Sequence, residues 1–69
     1  MNIYAVKKVE LTKGMDRDAY MQALENAPEI YCKGLDEVTE YVGYKLKRGR
    51  TGMYGGTVGN TEYLAYRVG

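Results

Sequence analysis

Lys45, Lys47, Arg48 and Arg50 place four cations within six residues, and Thr51-Gly52-Met53 then leads to Tyr54 and two glycines. Cations this close together pair with phosphates or with carboxylates of a partner, and an aromatic ring beside them adds a stacking or anchoring surface. The same residues also suit the end of a helix followed by a polar loop, because Lys and Arg meet the negative pole of the helix dipole there. The glycines build no phosphate cradle: Gly49 to Gly59 contains neither Gly-Lys-Ser/Thr nor a Gly-x-Gly-x-x-Gly run that opens a helix.

Tyrosine carries all of the aromatic content, with eight Tyr and no Phe or Trp in 69 residues. Hiding every ring would require a hydrogen-bond partner for each hydroxyl, so part of this surface is expected outside. Tyr44, Tyr54 and Tyr63 are the candidates for exposure, Tyr20 and Tyr66 for packing. Exposed tyrosine either supplies rigid contact area to a partner or covers the open face of a thin sheet. With Arg67 added, the candidate partner-binding residues are Tyr44, Lys45, Lys47, Arg48, Arg50, Tyr54, Tyr63 and Arg67.

Composition excludes much else. With no His and one Cys, the chain lacks the ligands of the usual zinc sites and the base of Ser-His-Asp or Cys-His catalysis. No catalytic residue, metal site or cofactor is expected, and the chain reads as a non-enzyme. Asp36, Glu37 and Glu40 read as a solvated helix face. Cys32 has no partner in the chain for a disulfide, which fits a reducing compartment, and it reads as a small buried hydrophobe. No leader or apolar membrane span is visible, so a soluble, cytoplasmic protein without membrane contact is expected. The net charge of +1 conceals an asymmetry: residues 44–69 hold five bases against the single acid Glu62.

The elements that must carry these residues follow from periodicity. Residues 3–11 alternate as a strand with Ile3, Ala5, Val9 and Leu11 facing the core. Asp16 is placed to cap a helix over 17–26 that stops before Pro28. Residues 29–33 form a short strand ended by Gly34. The segment 35–47 fits a helix through Leu35, Val38, Val42 and Leu46, and fits a strand through Val38, Val42, Tyr44 and Leu46; its acids-first, bases-last charge order favours the helix. Met53–Val58 and Thr61–Val68 flank Gly59-Asn60 as a hairpin. The expected fold is a single α+β domain over 1–69: a small, mostly antiparallel sheet of N-terminal strand, short strand and C-terminal hairpin, with two helices on one face.

The strand Ile3-Tyr4-Ala5-Val6-Lys7-Lys8-Val9, the strand running into a helix over Ile30 to Val42, and the closing Leu64-Ala65-Tyr66-Arg67 resemble the small phage-encoded accessory proteins, including some anti-CRISPR proteins. The helix over 17–26 is additional to that pattern. The resemblance implies a stoichiometric inhibitor that docks on a host or defence protein or nucleoprotein complex in the host cytoplasm and blocks a binding channel by occlusion. The residues themselves leave two alternatives: a small nucleic-acid-binding module using the basic segment with stacking tyrosines, and a self-associating assembly subunit pairing through an open hairpin edge.

Overall fold

A computed structural model describes residues 2–69. The chain runs β1 (Ile3–Glu10), α1 (Arg17–Asn26), β2 (Ile30–Lys33), α2 (Gly34–Val42), β3 (Lys47–Arg48), β4 (Tyr54–Val58) and β5 (Thr61–Arg67). The strands form one antiparallel sheet in the order β2-β1-β5-β4-β3. The architecture is thus α+β, as the periodicity implies, with the two-residue β3 added at the edge.

Local chemistry sets the helix ends. The Asp16 carboxylate accepts a hydrogen bond from the Ala19 N–H at 2.8 Å, and Asp18 adds negative charge in the first turn. At the other end Ala27 turns extended ahead of Pro28. The last turn of α1 holds no base of its own, but Lys7 Nζ reaches across from β1 to the Leu24 carbonyl at 3.1 Å. The segment 35–47 resolves as a helix only to Val42. Gly43 takes a left-handed conformation (φ 79°) that other residues rarely adopt, its N–H donates to the Thr39 carbonyl, and the helix stops. Leu46 is still buried, but from the connector rather than from a helical stripe.

Residues paired across antiparallel strands share a face. Tyr4, Val6, Ile30, Cys32, Tyr54, Tyr63 and Ala65 therefore look to one side, and Ala5, Lys7, Tyr31, Glu62, Leu64 and Tyr66 to the other. The core forms on the first side, where Val38 and Val42 of α2 pack with Tyr4, Val6, Cys32, Leu46 and Ala65. On the second side lies α1, tied to the sheet by Lys7 to Leu24 and by the Tyr20 hydroxyl, which donates to Glu62.

The helices consequently cover opposite faces, which corrects the one-face arrangement expected from sequence. The reason is in β1. Tyr4, Ala5 and Val6 are consecutive and retain only 8%, 0% and 1% of their exposure, so both faces of this strand need cover. The odd-numbered face expected to hold the core carries instead the smaller layer under α1, and the even-numbered face holds the main cluster. Cys32 lies in that cluster, where burial, with a smaller effect of the Glu37 charge, pushes its thiol pKa up. That is the environment of an inert thiol.

Val6 and Val38 are the largest side chains buried almost completely. Val38→Ala is expected to cost about 2–3 kcal/mol in denaturant unfolding, whereas Met21→Ala on the exposed side of α1 should change stability by less than about 0.5 kcal/mol.

Candidate interaction surface

Five of the eight candidate residues gather along the outer edge of the sheet. Tyr44 and Lys45 occupy the connector after α2, Lys47 and Arg48 form the edge strand β3, and Arg50 rides on the following loop; all five are exposed. The loop is held shut at its base. Gly49 N–H donates to the Met53 carbonyl at 2.7 Å and Gly52 N–H to the Gly49 carbonyl at 3.2 Å, which puts Arg50 and Thr51 at the tip. Lys47 pairs with Gly55 and Arg48 with Tyr54, and successive strand residues alternate in direction, so the edge presents cations on both faces.

Tyr44 is held by a close approach. A Cβ added at Gly56 would stand 2.8 Å from Tyr44 Cε1 and 3.0 Å from Leu46 Cδ2. Glycine at 56 thus lets the tyrosine ring and the buried leucine close over β4. The ring keeps 42% of its exposure.

The remaining three candidates are placed elsewhere. Tyr54 and Tyr63 are half-buried against the core rather than exposed. Tyr54 meets Tyr4 edge-on at a centroid distance of 6.1 Å, and Tyr63 meets Tyr41 likewise at 6.4 Å. A strand reading of one face at a time does not register that these rings lie inward of α2. Arg67 is exposed on β5, but its Nε donates to the Gly69 carbonyl at 3.1 Å, at the C-terminal end of that strand.

The most exposed tyrosine is one the spacing did not single out. Tyr31 keeps 60% of its exposure and donates to Glu29 at 2.9 Å, and Tyr66 donates to the other oxygen of the same carboxylate. The two hydroxyls hold the Glu29 carboxyl below its usual pKa, Tyr66 most strongly, while Glu29 holds both hydroxyls above theirs. This group joins the α1–β2 connector to β5 and satisfies its own donors and acceptors. Residues 29 and 66 are 37 apart, so no local pattern announces the pairing.

Among the described residues no cluster of three or more Cys, Asp or Glu is arranged to hold a metal ion. A recess of about 220 Å³ between α2 and the connector is lined by Asp36, Val38, Lys45, Leu46 and Tyr54 among others. No helix among the described residues is long and apolar enough to cross a membrane. Compared with protein-family models, curated proteins and solved structures, the chain matches none.

Tyr20 supplies the pH signature of the opposite face. Burial, then the hydrogen bond to Glu62 and its charge, push the hydroxyl from 10.0 up to about 12. The stability this gives is complete below pH 10 and is lost as pH rises through 12, since ionisation is easier in the unfolded chain. Tyrosinate absorbance should include a component titrating near pH 12, and Tyr20→Phe should remove it.

Proposed function

We propose that this is a non-enzymatic binding protein that docks on a host or defence protein or nucleoprotein complex through its cationic sheet edge. The observation that carries this reading is the projection of Tyr44, Lys45, Lys47, Arg48 and Arg50, all exposed, from one short edge strand and its flanking segments. The cations would meet acidic groups on the partner, steering encounter and fixing orientation, and Tyr44 would supply the rigid anchor. Phage-type inhibition by occlusion of a binding channel is the form of this activity that suits a chain of 69 residues. Tyr54 and Tyr63 would act from beneath, by fixing the sheet that carries the edge.

Nucleic acid is the second reading, favoured by the exposed Tyr44 ring beside the same cations. Salt separates the two. With about four phosphate contacts, log K would fall with log salt at a slope of roughly −3 to −4, a dependence that an anchor-dominated protein interface does not share.

The test is retention of partners from bacterial lysate by the tagged protein, with and without nuclease. A discrete protein complex surviving nuclease and lost for the Arg48→Ala, Arg50→Ala double variant is expected, with binding weakened at least roughly tenfold and the thermal midpoint unchanged. Loss of all bound material on nuclease treatment would transfer the function to nucleic acid.

A further inference from the structure

At the opposite side of the sheet from the cations, β1 has an edge that its neighbour leaves open. Ile3 N–H donates to the Gly69 carbonyl and Leu11 N–H to the Asn60 carbonyl, so the odd-numbered residues of β1 direct their peptide groups toward β5. The even-numbered residues point the other way. Tyr4 and Val6 find Cys32 and Ile30 of β2 there, but β2 goes no further. Among the described residues, the peptide groups of Lys8 and Glu10 have no backbone partner on that side.

The sequence explains the stop. The register that sets Ile3 opposite Lys33 and Val6 opposite Ile30 would, carried two places on, set Lys8 opposite Pro28. Proline has no N–H to give, so the ladder ends and the edge from Lys8 to Glu10 is left unpaired.

This edge lies in a groove rather than on a bare rim. Val6 and Val9 of β1, Ala23 and Ala27 of α1, Ile30 of β2 and Tyr41 of α2 line one recess of about 330 Å³. Val6 and Val9 belong to opposite faces of the sheet, so the recess wraps around the edge of the strand. Both helices contribute to it because they cover opposite faces.

We propose that this edge is a docking site for an extended polypeptide segment of a partner, bound by strand addition to β1. Peptide groups on one edge of a strand recur about every 6.8 Å, and another extended backbone is the ligand that offers donors and acceptors at that spacing. Side chains of the incoming strand alternate between Ala23 and Ala27 on one flank and Ile30 and Tyr41 on the other. The segment is therefore apolar on both faces, rich in Val, Ile or Tyr, and free of proline at the pairing positions. A second copy fits poorly: its own β1 edge is recessed, and pairing over three residues falls well short of the roughly 1,200 Å² of a stable interface. The site is independent of the cationic edge.

The experiment is ¹H–¹⁵N spectroscopy of the whole protein with the peptide acetyl-Lys-Val-Ile-Val-Ile-Lys-amide and its Tyr-for-Val analogue, each also N-methylated at either odd or even positions. The amide signals of Lys8 and Glu10 should move, their exchange should slow about tenfold or more at saturation, and only one of the two methylation patterns should bind. Ala23→Leu, or Ala27→Leu as a second groove-filling variant, should abolish binding with the spectrum otherwise preserved. Four results would overturn the site. These are no response to either parent peptide at millimolar concentration, equal binding of both methylation patterns, free-state protection at Lys8 and Glu10 equal to that of Val6, or protection that rises with protein concentration alone. The last would make a second copy the occupant.

Discussion

The fold depends on a single strand that is apolar on both of its faces. Four of the nine buried hydrophobic residues, Tyr4, Ala5, Val6 and Val9, belong to β1. A strand buried on one side needs one covering layer, but this one needs two, and in a chain of 69 residues each layer can be only one short helix. The two layers are unequal. α2 brings Val38 and Val42 into a true core, while α1 buries no residue completely and is fastened by polar contacts, Lys7 to Leu24 and Tyr20 to Glu62. Loss of that fastening at high pH is a direct consequence of holding a helix by a tyrosine and a carboxylate.

The same constraint distributes the charge. With β1 and β5 in the interior of the sheet and both faces of β1 covered, the cations of residues 45–50 end up at the outer edge, beyond β4. A two-residue edge strand of Lys and Arg resists pairing with another copy, because it is short and like charges would meet. It also leaves the side chains free for an acidic or phosphate-bearing partner. The opposite edge is protected differently: β2 covers half of β1, and Pro28 ends the cover. The sheet thus has one edge that can offer charge and one that can offer backbone.

Much of this was legible in the residues. Asp16 and Pro28 bound α1, and Gly59-Asn60 defines the hairpin, because caps and turns act over a few positions. The extent of α2 was harder: Leu46 continues the helical stripe in sequence, yet Gly43 breaks the helix and the leucine reaches the core from a connector. The side on which each helix sits was not legible from single-face alternation, although Ile3-Tyr4-Ala5-Val6, apolar without a break, carried the signal of a strand buried on both faces. Of the candidate contact residues, those in the local basic run remain together at the surface. Tyr54 and Tyr63 are drawn inward by Tyr4 and Tyr41, and those partners are set by tertiary packing over 50 and 22 residues of chain.

Side-chain nuclear Overhauser spectroscopy decides whether the two helices cover opposite faces of β1. Cross-peaks are expected from the Val6 methyls to those of Val38 and Val42, and from the Lys7 side chain to the last turn of α1, with none between the Tyr4 ring and α1. Cross-peaks from both helices to the Tyr4 ring would place the helices on one face and contradict the opposite-face arrangement.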